Sequence, residues 1–229
     1  MTRTPNVLIR KFITFSLVAM SIVAASSAMA KVHAPTMSAN AALKLLLEGN
    51  QRFIAGKMEH PNQTPARRAA VAKGQAPFAS ILACSDSRTP PEIIFDRGLG
   101  DLFVVRVAGN VADQVVIESL DYSVKHLGVR VLMVLGHRRC GAVIAAVDGH
   151  EGTEDEDVGP MLTELKPAVE AIQGKAGDPV ENAVRANVKL VISKLAQSEE
   201  LSDMVKSGEL KIIGGIYDLD TGEIEMLKN

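Results

Sequence analysis

VRVLMVLGHRRCG, residues 129–141, is the stretch that decides the fold of this chain. Its first eight residues form an almost unbroken apolar run, too short for a buried helix and too uniformly apolar for a strand wetted on one face. It therefore reads as a parallel strand covered on both faces. Two upstream runs repeat the pattern, FASILACS at 78–85 and DLFVVRVA at 101–108. Between the second and third runs, DQVVIESLDYSVKHLG (113–128) places Val115, Val116, Leu120, Val124 and Leu127 at helical spacing, with Gly128 as the stop signal. Strand, helix and strand in that order make a βαβ unit, whose crossover is right-handed.

Working outward, AALKLLLEGNQRFIAG after Ser38-Ala39-Asn40 carries Leu43, Leu45, Leu46, Leu47 and Phe53 near helical spacing, with Ser38 or Asn40 as N-cap. A shorter helix is expected near Ala66 to Lys73, and Gly74-Gln75-Ala76-Pro77 then breaks the chain. Beyond Cys140 the pattern predicts a helix directly after that residue and two more over Met161–Ile172 and Asn182–Leu195. LKIIGGIYDL, the turn Asp220-Thr221-Gly222-Glu223, and EIEML then close the chain as a hairpin. The prediction is an α/β fold: a mainly parallel central sheet of four strands, an antiparallel C-terminal edge strand, flanking helices and an N-terminal helical arm. The acidic stretch from Asp148 to Pro160 lacks the ligand spacing of a calcium loop and reads as a solvated connection.

The 229 residues include 47% hydrophobic side chains, enough for one packed domain. Aromatic residues are 3% of the chain and Trp is absent, so few rings are available to stack on bases. With 25 basic against 27 acidic side chains the charge pattern lacks the basic footprint of a nucleic-acid binder. At the N-terminus Arg3, Arg10 and Lys11 precede an apolar run from Phe12 to Ala25, and Ala28-Met29-Ala30 supplies an A-x-A site. The run falls short of the ~20 residues needed to span hydrocarbon. Residues 1–30 are therefore expected to be a cleaved secretory signal and residues 31–229 a single domain, periplasmic or secreted, without stable membrane insertion.

The chain has two cysteines, Cys84 and Cys140, and export makes a disulfide between them one reading. The other follows from their places. Cys84 ends the first strand, and the third strand runs into His137-Arg138-Arg139-Cys140, so three soft ligands fall at carboxyl ends of strands, where open α/β sheets place their sites. His137 and Cys140 can grip one metal from a single turn, with Cys84 as the third ligand. A Cys₂His set with its fourth position open or exchangeable suits Zn²⁺ used catalytically. Cys140 precedes a predicted helix, whose positive end favours the thiolate. In the turn after Cys84, Asp86 is either a fourth ligand or a hydrogen-bond acceptor at the metal. Arg88 can hold that carboxylate by a bidentate pair, as it would in an ordinary turn ion pair.

CSDSR at 84–88 followed by GHRRCG at 136–141 resembles the β-class carbonic anhydrases, whose zinc motif is Cys-x-Asp-x-Arg with His-x-x-Cys. PPEIIFDRGLGDLFVVRVAGNV (90–111) and ALKLLLEGNQRFIAGK (42–57) resemble the same family, and the similarity runs from about residue 40 to 220. The resemblance implies reversible hydration of carbon dioxide to bicarbonate by hydroxide generated on zinc. It makes Cys84, His137 and Cys140 the metal ligands, Asp86 and Arg88 a gating dyad, and Gln75, Phe103 and Tyr122 the substrate pocket. It also implies a homodimer or dimer of dimers in which Gln75, Phe103 and Tyr122 cross between subunits. Some members hold a regulatory bicarbonate with a tryptophan where this chain has Ile81, and Arg106 matches another residue of that pocket. Without the ring, zinc is expected open and water-bound rather than closed by Asp86. The competing readings are a non-enzymatic exported domain with a Cys84–Cys140 disulfide, and another zinc hydrolase. The motifs H-E-x-x-H and P-C-x-x-C of zinc hydrolases and the C-x-x-C of thiol oxidoreductases do not occur.

Overall fold

A computed structural model describes Met1 and residues 37–149 and 159–228. Residues 2–30 of the expected signal segment and most of the acidic stretch, residues 150–158, lie outside the described residues. In chain order the elements are α1 (Ala39–Ile54), α2 (Pro65–Val71), β1 (Ala79–Ala83), α3 (Pro91–Ile94), β2 (Leu102–Arg106), α4 (Gln114–Lys125) and β3 (Val131–His137). They continue with α5 (Gly141–Gly149), α6 (Pro160–Glu170), α7 (Pro179–Gln197), α8 (Ser202–Lys206), β4 (Lys211–Tyr217) and β5 (Ile224–Met226). Among the described residues no helix is long and apolar enough to cross a membrane.

The sheet order is β2-β1-β3-β4-β5, with the first four strands parallel and β5 antiparallel on the edge. The expected fold class is therefore the observed one. Every residue of β1 and β3 is buried, because helices cover the sheet on both sides. On one face Leu82, Leu132, Val134, Ile212 and Ile216 pack into a core with α4, α5, α6 and α7. On the other, Ile81, Met133, Leu135 and Ile213 meet Ala42 and Leu46 of α1 and Ile94 and Phe95 at α3. The run at 101–108, expected to be covered on both faces, departs from the other two: each residue of β2 is only half-buried. An edge position gives β2 a neighbour on one side alone, and that explains the difference.

Ser38 caps α1, its hydroxyl accepting from the Ala41 N–H at 3.3 Å. Gly49 brings this helix against the backbone of α3; a Cβ there would lie 1.8 Å from the Phe95 carbonyl oxygen. Helix α4 stops at Lys125 rather than reaching Leu127, and Gly128 takes φ 76° in the following turn. The helices α3 and α8 were not foreseen, since four or five residues are too few to show a period.

Chain order reverses at β1, whose neighbours are β2 on one side and β3 on the other. Connections leaving the carboxyl ends of β1 and β3 diverge to opposite sides there and open a crevice. Cys84 directly follows β1 and His137 is the last residue of β3.

Candidate metal centre

Cys84, His137 and Cys140 come together as their strand ends predict: their ligand atoms lie within 4.8 Å of one another, and all three residues are buried. The two Sγ atoms are 3.9 Å apart and unbonded, so the disulfide reading is not the arrangement found. The Nδ1 of His137 is 2.9 Å from the Arg138 carbonyl oxygen, which places the ring proton on Nδ1. Nε2 is then a bare lone pair. It is buried and has no hydrogen-bond partner, a costly condition for a polar atom away from water. A buried imidazole lone pair facing two thiols is the donor set a Zn²⁺ ion satisfies.

The turn that delivers Cys140 is strained. Arg139 sits at φ 51°, the left-handed region that non-glycine residues rarely adopt. Ion pairs on either side hold it. The Arg139 guanidinium donates to both carboxylate oxygens of Asp220 at 2.9 and 2.8 Å, and Arg138 lies 3.0 Å from Asp218.

The thiols respond to each other. A hydrogen bond from the Cys140 thiol draws the Cys84 pKa down against the opposing effect of burial. For Cys140 the same contact, then burial and the Cys84 charge, push the pKa up. The N–H groups of Ala142 and Val143 at the start of α5 pull the other way, as the helix-end expectation holds, but the Cys84 contact and burial outweigh them. Cys84 also accepts from the Gly109 N–H at 3.3 Å.

Asp86 and Arg88 form the expected pair. Oδ1 accepts from the Arg88 backbone N–H and Nε, each at 2.9 Å, and Oδ2 accepts from Nη2 at 2.7 Å. These bonds hold the Asp86 carboxyl well below the usual carboxylate range, so it is ionised at any working pH. Its Oδ2 also approaches His137 Nε2 to 3.8 Å, which sets the carboxylate at the margin of the ligand cluster.

Gln75, Phe103 and Tyr122 are not brought to that cluster within the chain. Phe103 stands opposite Ser80 in the sheet, four residues before Cys84, which at ~3.3 Å per residue is about 13 Å along the strand. Its ring pairs with Tyr122 at 6.3 Å between centroids, and Tyr122 is 46% exposed. Gln75 is exposed, on a loop lining a shallow hollow with Val71 and Leu99.

Several residues that shape the site were missed. Arg106 donates from Nε to the Cys84 carbonyl at 2.9 Å and from Nη2 to the Asp86 carbonyl, clamping the Cys84–Asp86 loop, a role that the family resemblance, which matches it to a regulatory pocket, does not indicate. Thr89, buried, bonds the Asp86 carbonyl at 3.0 Å. Gly109 and Asn110 turn the chain after β2 at φ 69° and 44°, and a Gly-Asn pair after a strand is a turn signal that had been available. Away from the cluster, the His126 ring lies tilted against Tyr122 at 5.1 Å between centroids.

An open α/β sheet with a Cys₂His cluster at its switch point, flanked by an Arg-locked aspartate, has the donor set and placement of a metal centre. The family described as Carbonic anhydrase matches residues 79–224. Carbonic anhydrase 2 of Mycobacterium tuberculosis is 41% identical over 191 residues, 82% of this chain and 92% of that protein. The carbonic anhydrase of Mycolicibacterium smegmatis is 37% identical over 196 residues, 84% and 95% of the respective chains. Among solved structures, the β-carbonic anhydrase CafA of Aspergillus fumigatus superposes with a TM-score of 0.63 at 29% identity, covering 81% of this chain and 90% of that one. The chain belongs to the carbonic anhydrase family, and within it to the β class.

Proposed function

We propose that this carbonic anhydrase hydrates carbon dioxide on a zinc ion held by Cys84, His137 and Cys140, with Asp86 and Arg88 directing the reacting water. The observation that carries the proposal is the buried His137 Nε2, without a partner, beside two thiols 3.9 Å apart. When bound, zinc supplies Lewis acidity that brings the pKa of water to about 7, a value for which carbonic anhydrase is itself the standard example.

The chain's own residues do the rest. Asp86 accepts a hydrogen bond from the attacking water and aims its free lone pair at the carbon of carbon dioxide. It can do so because Arg88 keeps the carboxylate charged and fixed. With both Asp86 oxygens engaged by Arg88, an open resting state is favoured over one in which Asp86 closes the metal. Arg106 and Thr89 hold the loop carbonyls that set the Cys84–Asp86 spacing.

Gln75, Phe103 and Tyr122 are proposed to line the pocket of a partner subunit, Gln75 orienting one substrate oxygen. The distance of Phe103 from the cluster of its own chain supports that reading, as do its pairing with Tyr122 and the 46% exposure of Tyr122. A homodimer or dimer of dimers follows; two β-carbonic anhydrases of Sordaria macrospora, 25% identical with a TM-score of 0.62, are described as tetrameric. We place the working domain at residues 31–229, in the periplasm or outside the cell, on the strength of the leader pattern.

The test is carbon dioxide hydration across pH 6–9 with zinc quantified on the same sample. One zinc per chain, with hydration that disappears on chelation and returns with zinc, is expected. Zinc-free protein of full activity overturns the reading, and a steep loss below about pH 8 overturns the open resting state.

A further inference from the structure

One side chain of helix α7, Asn187, is linked by hydrogen bonds to the metal centre. Asn187 is 2% exposed, and its Nδ2 donates to the Gly109 carbonyl at 2.7 Å. The N–H of Gly109 in turn points at Cys84 Sγ, 3.3 Å away. Gly109 takes φ 69°, so its peptide groups are set by a conformation with few intrinsic restraints. The surroundings leave it little room: a Cβ at Gly109 would meet Leu165 Cδ1 of α6 at 3.1 Å and the Ala142 Cβ of α5 at 3.4 Å. Helix α7 can deliver Asn187 because it lies directly on the sheet, where a Cβ at Gly136 would come within 2.7 Å of Val188 Cγ2.

We infer that Asn187 is a positioning residue for the metal: by anchoring the Gly109 carbonyl it fixes the glycine whose N–H donates to the Cys84 sulfur. The inference rests on the proposal that Cys84 is a zinc ligand. A sulfur that accepts an N–H bond gives less electron density to a metal. In a centre with two thiolates that keeps the ion electrophilic, and the same bond fixes the direction in which the sulfur presents its lone pairs. A buried asparagine can be retained simply to satisfy a carbonyl, so the test must read the sulfur and not only the fold.

Cobalt(II)-substituted protein gives that reading through its thiolate-to-metal charge-transfer band, together with zinc affinity from competition with a chromophoric chelator. Asn187→Asp keeps the shape and removes the donor. It is expected to shift the band and weaken zinc binding by roughly 10-fold, within the range for outer-shell partners of metal ligands. Asn182→Asp is the control: Asn182 lies on the same helix and bonds the Ala176 carbonyl at 3.0 Å, away from the centre, so band and affinity should stay unchanged. Gly109→Ala perturbs the same residue without touching α7 and should shift the band in the same direction, which keeps the inference testable if Asn187→Asp does not fold. An unshifted band with affinity within twofold of the parent in a folded Asn187→Asp protein overturns the inference, as does an equal shift from Asn182→Asp or none from Gly109→Ala. Parent protein that shows no thiolate band at all refutes the metal site itself, a different outcome.

Discussion

Asp86→Asn tests the chemistry with the least disturbance to the fold. The side-chain shape is kept and the charge is lost. Asn retains one oxygen, able to accept from the Arg88 N–H and Nε as Oδ1 does at 2.9 Å. The new NH₂ would face Arg88 Nη2 across the 2.7 Å now spanned by a hydrogen bond, donor against donor. The side chain must turn away, and neither orientation offers an anionic acceptor beside His137. A positioned proton acceptor contributes about 10²–10⁴-fold to rate. A fall of about 100-fold in kcat/KM, equivalent to about 2.7 kcal/mol of barrier, is therefore the minimum expected. Cys84, His137 and Cys140 are untouched, so zinc content should stay at the parent level. The assay is stopped-flow hydration with a pH indicator, with metal analysis and thermal unfolding on the same preparation. A folded, zinc-replete Asp86→Asn protein within threefold of the parent rate would refute the role assigned to the dyad.

Thiol titration should find both cysteines protected in the zinc protein and both reactive after chelation, while His137→Ala should lose the metal outright; a titration with no thiols in either state would mean a disulfide. Gly136→Ala puts a Cβ 2.7 Å from Val188 Cγ2 and 3.3 Å from Val184 Cγ1. Overpacking of this kind costs roughly 1–3 kcal/mol, and Tm should drop by roughly 2–4 °C for each kcal/mol; an unchanged melt would show that α7 can retreat freely. Burial pushes the Asp96 carboxyl up, but the Glu59 N–H, Arg52 and the His60 N–H bring it below the ordinary aspartate value. Its stabilisation is thus fully present above about pH 4 and is lost as pH falls through the folded pKa. Asn suits the left-handed backbone at position 96, so Asp96→Asn should be less stable than the parent at pH 7 and converge with it in acid; a gap that widens on acidification would contradict the assignment. Tyr122→Glu, on the exposed face of α4, should yield inactive monomers by sedimentation; an active monomer would dismiss the shared pocket.

Local information was enough for much of this protein. Continuous apolar runs at 78–85 and 129–136 could only be buried strands, because no other short element hides every side chain. The spacing of His137 and Cys140 on one turn named two candidate ligands before any fold was known. The apolar run at 101–108 misled in part, since an edge strand and a central one differ in their neighbours and not in their own composition. The helix-end effect on Cys140 was read in the right direction, but its weight against a second buried sulfur depends on a 3.9 Å contact between residues 56 positions apart.

Strand patterns, the α/β class and the identity of the metal-type residues were determined by the sequence alone, because each depends on the polarity and order of residues along the chain and not on which side chains finally meet. Tertiary structure decided which groups surround them: the bare Nε2 of His137, the Arg106 clamp on the Cys84–Asp86 loop, the line from Asn187 through Gly109 to Cys84, and the separation of Phe103 and Tyr122 from their own chain's cluster. These are hydrogen bonds and distances between residues that lie on different elements of the chain, and only the path of the folded backbone brings such groups within reach or keeps them apart.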